Sequence, residues 1–435
     1  MKRIVILGGG ESGTGAAILA KQQNYDVFVS DCGNIKEQYK CELDAHGIAW
    51  EEGGHTTELI LNADEVVKSP GIPNSAPLIV ALTNQGTPVI SEIEFAARFT
   101  NAQFICITGS NGKTTTTSLV YHIMRQAGLD VGIGGNIGQS LARQVAQQQH
   151  NFYVLELSSF QLDNMYKFRA HIAILLNITP DHLDRYEHDF MKYARAKMRV
   201  TQNQTPDDYF IYWHDDTTIR TLTESCDIKA QILAFSVNDN QYELPDHNFL
   251  SWLQKPDSLQ IKGLHNLYNA IAATLAAQKI GIDNETIKKA LSSFKPVEHR
   301  LEYVRTVNGV RFINDSKATN VDSCYYALES MTTPVVLILG GKDKGNDYTQ
   351  IDQLVKDKVK TLVFMGLHNE PLNEHFGKAG IKIIDTNNIN DAISAAYHNA
   401  SDGDTVLLSP CCASFDLFKS YEDRGKQFKD IVNEL

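Results

Sequence analysis

A regular alternation of short apolar runs with helix-length amphipathic segments limits the fold of this chain more than any other sequence feature. Apolar runs bounded by glycine and polar residues are typical of buried strands, and the segments between them are long enough for helices. Strands that alternate with helices form βα units and parallel sheets. The predicted strands are residues 3–7, 26–30, 65–69, 104–107, 152–156, 172–176, 208–212, 231–235, 310–314, 335–339, 361–365, 381–385 and 405–409.

The length of the chain indicates more than one domain. Its 435 residues exceed the size at which a single core stops growing, and about 150 residues per domain is usual. A connector is predicted after Pro88, running through Glu92 and Glu94 toward Asn101, and Pro296 precedes the last series of strands. We therefore predict three α/β domains. They span residues 1–95, 96–296 and 297–435.

Composition and charge exclude several classes of protein. Forty Lys and Arg against 52 Asp and Glu give a net charge of −12, and no basic cluster of the kind that binds nucleic acid is present. The seven cysteines are scattered without a C-x-x-C pair, so neither a disulfide framework nor a zinc site is predicted. The first apolar run is too short for a signal peptide, and no stretch is long enough to span a bilayer. These features predict a reduced, cytoplasmic protein without membrane insertion or a nucleic-acid partner.

The first candidate site is the motif Gly8-x-Gly10-x-x-Gly13, which follows a predicted strand and opens a predicted helix. Asp31 ends the next strand, where a dinucleotide-binding domain places an acidic residue. Glycines at this spacing let backbone N–H groups approach a diphosphate. The motif alone favours a dehydrogenase and is also compatible with a tight turn, so it predicts a bound nucleotide without deciding which one.

The second candidate site is TGSNGKTTT, which follows the strand FICI. Gly109, Gly112, Lys113 and Thr114 have the chemistry of a phosphate loop: backbone N–H groups cradle oxygens, the lysine neutralises charge and the hydroxyl reaches Mg²⁺. Only two residues separate the glycines, against four before the Gly-Lys pair of the usual motif. The arrangement predicts a P-loop ATPase-like central sheet between two Rossmann-like domains. Two nucleotide-type loops favour phosphoryl transfer on a nucleotide-linked substrate.

Further polar residues follow later strands of the same predicted sheet. Glu156 ends one strand, where a carboxylate can hold Mg²⁺ or cap a helix. Asp181 and His182 follow the next strand, and a lone histidine is more often structural than a ligand. Lys197 lies in an amphipathic segment, where a lysine is usually solvated.

The remaining candidates are two asparagines and two lysines. Asn266 and Asn269 fall three residues apart on one helix face, and their amides can recognise a purine edge or cap the helix. Lys317, with Thr319, and Lys344 follow two strands of the third domain. Both lysines can bind carboxylates as point charges, or lie on the surface without a role.

In this order, the motifs make the chain resemble the Mur ligases of bacterial peptidoglycan synthesis. TGSNGKTT is common to that family, whereas ELSSFQL, NDSKATN and SPCCASFD resemble the branch that adds D-glutamate. The resemblance covers essentially the whole chain. It implies three domains that bind, in order, a UDP-sugar, ATP and an amino acid. It also implies UDP-N-acetylmuramoyl-L-alanine, D-glutamate and ATP as substrates of a monomeric enzyme, with an acyl phosphate as intermediate.

The resemblance also implies roles for individual residues. Catalytic roles fall on Lys113, Glu156, His182 and Lys197, and two Mg²⁺ ions on Thr114, Glu156, His182 and a CO₂-derived carbamate of Lys197. His299 adjoins the ATP residues. The residues implied for ATP are Gly109, Ser110, Asn111, Gly112, Lys113, Thr114, Thr115, Asn266, Asn269, Arg300 and Asp315.

The other two ligands are assigned in the same way. Asp31 is followed by Cys32 and Gly33, where some relatives offer a polar and a basic residue to the nucleotide. The residues implied for the UDP-sugar are Ser12, Gly13, Asp31, Ser69, Gly71 and Asn136. Those implied for the amino acid are Lys317, Thr319, Lys344, Ser414, Phe415 and Tyr421.

Three alternatives stay open from the sequence. One is a sister ligase that adds another amino acid, or a folylpolyglutamate-type ligase on the same scaffold. The second is a nicotinamide dehydrogenase built on the first glycine motif. The third, a UDP-sugar-binding protein without activity, is disfavoured because Lys113, His182 and Lys197 are all present.

Overall fold

The computed structural model describes residues 1–236, 247–253, 255, 258–261, 263–295 and 297–435, so the domain boundary predicted at Pro296 lies outside the described residues. The chain forms two compact units. The first unit consists of Met1–Ser258 and Tyr268–Ser293, and the second of Leu259–Leu267 and Phe294–Leu435.

The N-terminal part of the first unit contains a parallel five-stranded sheet. Its elements are β1 (Arg3–Leu7), α1 (Glu11–Gln22), β2 (Asp26–Ser30), α2 (Glu37–Ala45), β3 (Ala49–Glu51), α3 (Thr57–Leu61), β4 (Glu65–Lys68), α4 (Pro77–Asn84) and β5 (Val89–Ile90). The strand order is β3-β2-β1-β4-β5. In the sheet, β1 lies between β2 and β4, and the strand order changes direction there. The carboxyl ends of β1 and β4 therefore border a crevice in which such sheets bind ligands.

The predicted connector is a buried part of the first unit. After β5 it forms the helix α5 (Glu92–Ala96), and Glu92 and Glu94 are 5% and 2% exposed. Glu94 accepts hydrogen bonds from the backbone N–H groups of residues 166–168, and Glu92 accepts one from Ala142. These bonds connect α5 to residues that flank the central sheet, and one apolar cluster joins the two halves of the unit.

The rest of the first unit is built on a parallel six-stranded sheet. Its strands are β6 (Gln103–Thr108), β7 (Val131–Gly135), β8 (Phe152–Glu156), β9 (Ile172–Leu175), β10 (Tyr209–Trp213) and β11 (Gln231–Phe235), in the order β11-β10-β9-β6-β8-β7. The α-helices are α6 (Lys113–Gln126), α7 (Leu141–Gln147), α8 (Ser159–Leu162), α9 (Phe190–Met198), α10 (Thr217–Ser225), α11 (His247–Leu253), α12 (Leu264–Lys279) and α13 (Asn284–Ser293). The first four residues of α12 belong to the second unit. Short 3₁₀ helices span Ala97–Phe99, Leu183–Tyr186 and Arg199–Thr201.

The second unit contains a mixed six-stranded sheet. Its elements are β12 (Glu302–Val307), β13 (Val310–Asn314), α14 (Val321–Glu329), β14 (Val335–Leu339), a 3₁₀ helix (Tyr348–Ile351), α15 (Asp352–Lys358), β15 (Val359–Met365), α16 (Glu370–Phe376), β16 (Lys382–Thr386), α17 (Ile389–His398), β17 (Thr405–Leu408) and α18 (Tyr421–Glu434). The strand order is β12-β13-β17-β14-β15-β16, and only the β12–β13 pair is antiparallel.

The antiparallel pair arises from a two-residue turn. Asn308 and Gly309 both have positive φ, 46° and 79°, as a type I′ hairpin turn requires. The α/β class with three sheets agrees with the sequence prediction, whereas β12, β3, β5 and β7 were not predicted. β3 and β5 have three and two residues, and β7 reads VGIGG, so none of the three carries a long apolar run.

Two expectations concern the chain as a whole. All seven cysteines are free thiols. Among the residues that the structure describes, no helix combines the length and the apolarity needed to cross a membrane.

Candidate active site

The loop between β6 and α6 has the geometry of a phosphate-binding loop. It leaves the carboxyl end of β6, a strand that lies between β9 and β8, and it ends at Gly112, directly before α6. Gly112 has φ +81°, and a Cβ atom there would lie 2.5 Å from Oδ1 of Asn269, so a larger residue would be strained and crowded. The positive dipole end of α6 faces the loop, which favours a bound anion.

Hydrogen bonds anchor this loop to the segment after β9. The Ser110 N–H donates to the carbonyl of Asn177 (2.9 Å), and the Asn111 N–H donates to Oδ1 of the same residue (2.8 Å). The Ser110 hydroxyl donates to the carbonyl of Thr179 at 2.8 Å. The segment that carries the predicted residues Asp181 and His182 is therefore joined to the phosphate loop.

Two lysines converge on one carbonyl of the loop. Nζ of Lys113 and Nζ of Lys197 each donate to the Gly109 carbonyl at 2.8 Å, and Lys113 also donates to the Ser110 carbonyl. Lys197 is only 2% exposed. Burial lowers its pKa well below the ordinary lysine value, and the positive charge of Lys113 acts in the same direction. The solvated position that is usual for a lysine in such a helix is therefore wrong for Lys197, and burial favours the neutral form of its amine.

Glu156 ends β8 with a buried carboxylate beside the first turn of α6. Its Oε2 accepts from the hydroxyl of Thr114 at 2.6 Å, and its Oε1 accepts from the side-chain amide of Asn136 at 2.8 Å. The hydroxyl and carboxylate oxygens are of the kind that Mg²⁺ prefers. Asn136, which the resemblance assigns to the UDP-sugar, thus contacts the carboxylate assigned to the metal.

His182 lies on a strained turn next to this group. Its φ is +53°, which is uncommon for a residue other than glycine. Its ring packs edge-on against Phe160 with centroids 5.1 Å apart, and Nε2 lies 3.5 Å from Oδ2 of Asp181. The negative charge of Asp181 acts on the amine of Lys197, so the turn lies close to the two lysines.

The residues assigned to the adenosine are divided between the units. Asn266 and Asn269 lie on α12 and are 5% and 4% exposed, with Asn269 beside the phosphate loop of the first unit. In the second unit, burial lowers the pKa of His265 to about 4 and raises that of Asp315 to about 6. The positive charge of Arg300 lowers both pKa values, so its guanidinium lies close to both groups.

The first glycine motif lies at the crevice between β1 and β4. Asp31, after β2, accepts from the backbone N–H groups of Gly9 (2.7 Å) and Gly33 (2.8 Å), so its carboxylate holds the loop in place. The Ser69 N–H, after β4, donates to the carbonyl of Leu7 at 2.9 Å. The other residues assigned to this site are Ser12 and Gly13 in the first turn of α1, and Gly71 in the loop after β4.

The residues assigned to the amino acid follow three neighbouring strands of the second unit. After β13, Nζ of Lys317 lies 5.2 Å from the ring centre of Tyr421. The hydroxyl of Ser316 donates to the Tyr421 carbonyl at 2.8 Å, which ties this loop to the start of α18. Thr319 lies in the same loop and is half-buried.

The loops after β14 and β17 are joined to each other. The Lys342 N–H donates to the carbonyl of Ala413 at 2.8 Å, which brings the loop of Lys344 next to that of Ser414. Lys344 is exposed and Ser414 is buried. Phe415 is 70% exposed, which suits a contribution from its backbone better than from its ring.

Arg424 is a structural member of this region that the sequence analysis missed. It is fully buried and donates to the hydroxyl and carbonyl of Ser316 and to the carbonyl of Cys412. Burial lowers its pKa to about 10. Arg424 lies three residues after Tyr421 on α18, on the face that buries Phe428. Residues 421, 424 and 428 follow one another at helical spacing, and this spacing is the sequence signal that places Arg424 on the same face as Phe428.

Three family models match the chain over most of its length. They are the MurD N-terminal domain over residues 3–77, the Mur ligase middle domain over 107–277, and the Mur ligase glutamate ligase domain over 299–412. UDP-N-acetylmuramate–alanine ligase MurC from Thermotoga maritima has the same fold, with a TM-score of 0.64, 17% identity, and 100% and 99% of the two chains covered. Fold and phosphate loop thus define a Mur-type ligase.

Two curated relatives identify the branch. UDP-N-acetylmuramoylalanine–D-glutamate ligase of Bacteroides fragilis is 60% identical over 100% of both chains. The ligase of that name from Porphyromonas gingivalis is 54% identical over 99% of this chain and 98% of its own. The chain belongs to the UDP-N-acetylmuramoylalanine–D-glutamate ligases, and the resemblance and fold class inferred from the sequence are confirmed.

Proposed function

We propose that the chain forms the amide bond between the alanyl carboxylate of UDP-N-acetylmuramoyl-L-alanine and the amine of D-glutamate, with hydrolysis of ATP to ADP and phosphate. This reaction belongs to peptidoglycan precursor synthesis. The observation that carries the proposal is the phosphate loop with Lys113, Glu156 and the buried Lys197 around it, in a chain with full-length D-glutamate-ligase relatives.

The activity is tested by phosphate release from ATP with UDP-N-acetylmuramoyl-L-alanine and one amino acid at a time. We expect D-glutamate to stimulate release, and L-alanine, L-lysine and diaminopimelate to leave it near the rate without amino acid. Reactions without the UDP-sugar give the background hydrolysis. Stimulation by a different amino acid would assign the chain to a sister activity, and no stimulation by any would contradict ligation.

The reaction divides into two steps that suit this loop. The γ-phosphoryl group of ATP passes to the alanyl carboxylate, giving ADP and an acyl phosphate. The amine of D-glutamate then attacks the acyl carbon, the tetrahedral intermediate expels phosphate, and the nitrogen loses a proton. The protein supplies positioning and charge stabilisation in both steps. Phosphate oxygens would replace the loop carbonyls that Lys113 bonds in this structure.

Mg²⁺ fits the oxygen groups beside the loop. We propose that Thr114 and Glu156, whose oxygens lie 2.6 Å apart, hold one ion and that His182 and modified Lys197 hold a second. When bound, Mg²⁺ supplies positive charge to the phosphate oxygens. The chain's own contribution is to orient the Glu156 carboxylate through its bonds with Thr114 and Asn136.

A carbamate on Lys197 is supported by the environment of its amine. Only a neutral amine attacks CO₂, and burial together with Lys113 lowers the pKa of Lys197. Attack by the neutral amine forms the N–C bond, releases one proton to solvent and gives an anion with two oxygens; counted from the ammonium form, two protons are released. The change removes a buried positive charge next to Lys113 and provides oxygen ligands for Mg²⁺.

Asp31→Ala tests the UDP-sugar site. We expect KM for UDP-N-acetylmuramoyl-L-alanine to rise about tenfold or more, which is the effect of losing a hydrogen bond to a charged group, while KM for ATP stays nearly constant. Steady-state phosphate release at varied concentrations of each substrate measures both constants. Asp26→Ala, at the opposite end of β2, is the matched control. A raised KM for ATP instead would assign the first loop to ATP or to another dinucleotide.

The second unit offers groups for a dicarboxylate. D-Glutamate carries two carboxylates and one amine, and the amine must stay free to attack. We propose that Lys317 and Lys344 hold the carboxylates, assisted by the hydroxyls of Thr319 and Ser414 and by the backbone N–H of Phe415. Tyr421 would form a wall of the pocket, as its contact with Lys317 supports.

Lys344→Ala is therefore expected to raise KM for D-glutamate about tenfold or more, since a charge-assisted hydrogen bond is lost, with KM for ATP nearly unchanged. Lys317→Ala should also raise KM for D-glutamate. It should in addition lower kcat, because Lys317 lies beside Asp315, which is assigned to ATP. Phosphate release at varied D-glutamate measures the effect. Lys378→Ala, an exposed lysine of the same unit, should stay within two- to threefold. If both lysine variants keep the wild-type KM for D-glutamate, other groups bind its carboxylates.

We also propose that the enzyme works as a monomer in the cytoplasm. Free cysteines throughout the chain support a reducing compartment. Light scattering coupled to size-exclusion chromatography tests the oligomeric state, and cell fractionation tests the location.

A further inference from the structure

Arg185 links the segment after β9 to the loop after β4, which carries residues assigned to the UDP-sugar. It lies in the 3₁₀ turn Leu183–Tyr186 of the central domain, yet its side chain reaches the loop after β4. Nη1 donates to the Gly71 carbonyl at 3.2 Å, and Nη2 donates to the Pro70 carbonyl at 3.4 Å. Its guanidinium carbon lies 4.4 Å from the ring centre of Phe160, the residue against which His182 also packs.

The segment that carries Arg185 is strained and depends on outside contacts. His182, Glu187 and His188 all have left-handed φ values, 53°, 56° and 58°. Such conformations persist only where the surrounding structure holds them. On the side of the central domain, the hydroxyl of Tyr186 donates to Oδ2 of Asp163 at 2.9 Å. The two bonds of Arg185 supply a further hold from the N-terminal domain.

The same segment continues into the phosphate loop. Thr179 and Ser110 exchange two hydrogen bonds, from the Ser110 hydroxyl to the Thr179 carbonyl (2.8 Å) and from the Thr179 N–H to that hydroxyl (2.9 Å). An uninterrupted set of contacts therefore runs from the phosphate loop through residues 179–186 to the carbonyls of residues 70 and 71. Contacts of this kind can couple two sites when the joining element has alternative arrangements.

The loop after β4 is itself held by charged groups. Nζ of the buried Lys68 donates to the Ile72 carbonyl at 2.7 Å, so two cations hold three successive carbonyls of this loop. Burial lowers the pKa of Lys68 to about 8, and the charge of Arg185 acts in the same direction. Arg185 is the member of the pair that comes from the central domain.

We infer that Arg185 is a positioning residue that couples the UDP-sugar loop at residues 69–72 to the phosphate loop, so that each bound nucleotide strengthens binding of the other. The inference rests on the proposed function for the identity of the two ligands. It does not assign Arg185 to the reacting atoms.

Calorimetric binding tests the inference without turnover. The Kd of UDP-N-acetylmuramoyl-L-alanine is measured with and without saturating ADP and Mg²⁺. We expect the wild type to bind the UDP-sugar on the order of tenfold more tightly with ADP present. Arg185→Ala should reduce this ratio to about one. Arg185→Lys, which keeps the charge but has a single donor nitrogen, should retain a ratio between these values and also covers poor folding of the alanine variant.

Arg195→Ala is the matched control, an exposed arginine of α9 in the same domain, and it should keep the wild-type ratio. Thermal unfolding of each variant establishes that it is folded. A merely structural role would lower stability and leave the ratio unchanged. A wild-type ratio in both Arg185 variants, or a ratio of one in the wild type, would overturn the inference. Failure of the wild type to bind the UDP-sugar at all would instead count against the proposed function.

Discussion

Replacement of Lys113 by alanine is expected to lower kcat by about a hundredfold or more, the loss that follows removal of a group that stabilises transition-state charge. Phosphate release at saturating substrates measures the effect. The ammonium sits on the carbonyls of Gly109 and Ser110 in the loop itself, so its position is set by the same backbone that would cradle the phosphates. Without this cation, the charge that develops on the transferred phosphoryl group loses the counterion that the loop would supply.

Lys192→Ala is the control variant for the charge-stabilising role of Lys113. Lys192 is an exposed lysine of α9 that pairs with Glu187, and exposed pairs contribute about 0–1 kcal/mol. Its kcat should stay within a few-fold of the wild type. UDP-sugar binding by calorimetry should be nearly normal for Lys113→Ala, since Lys113 is not among the residues assigned to the UDP-sugar. Near wild-type turnover of Lys113→Ala would mean that residues 108–116 are not the ATP site.

The phosphate loop and the carboxylate beside it could be predicted because their signals are local. Gly112, Lys113 and Thr114 follow a strand and open a helix, so the chain places them at the sheet edge without any distant contact. Glu156 ends a neighbouring parallel strand, and the carboxyl ends of parallel strands meet at one edge. Their convergence therefore follows from topology alone.

The burial of charged residues could not be predicted, because distant partners decide it. Glu94 is buried since three backbone N–H groups more than seventy residues away bind its carboxylate. Glu92 binds the N–H of Ala142, and burial raises its pKa to about 7. A sequence pattern treats both as solvated, which is why the segment from Pro88 looked like a connector.

The mixed sheet of the second unit is a case in which a local signal was overlooked. Asn308-Gly309 between VRTV and VRFIN is typical of a two-residue hairpin. The regular βα alternation elsewhere favoured an all-parallel interpretation, and β12 was not predicted. The error leaves the candidate site unaffected, since Asp315 and Lys317 follow β13 in either arrangement.

Lys197→Ala is expected to be nearly inactive, with a loss of about a hundredfold or more in kcat, and to recover part of its activity when formate or acetate supplies the missing oxygens. Phosphate release with and without the added carboxylic acid measures both effects. The sequence pattern FMKYARAKM predicts an exposed lysine, yet Lys197 is buried and its Nζ lies 4.5 Å from the ring centre of Tyr193. A buried, unmodified cation beside Lys113 would destabilise the folded protein, because burial of a charge carries a desolvation penalty. A carbamate removes that positive charge.

Lys197→Arg separates charge from modification, because arginine keeps a cation and cannot form the carbamate. We expect it to be as inactive as the alanine variant.

A second readout needs no turnover: ¹³C NMR of protein equilibrated with ¹³CO₂ should show a carbamate signal in the wild type that Lys197→Ala lacks. Lys192→Ala should keep both signal and activity. The depressed pKa of Lys197 means that its neutral, reactive fraction at neutral pH exceeds that of an ordinary lysine, which explains why this amine rather than an exposed one would be modified. A fully active Lys197→Arg enzyme, or an unchanged ¹³C signal in Lys197→Ala, would contradict the carbamate and leave the buried amine as a hydrogen-bond donor to Gly109 alone.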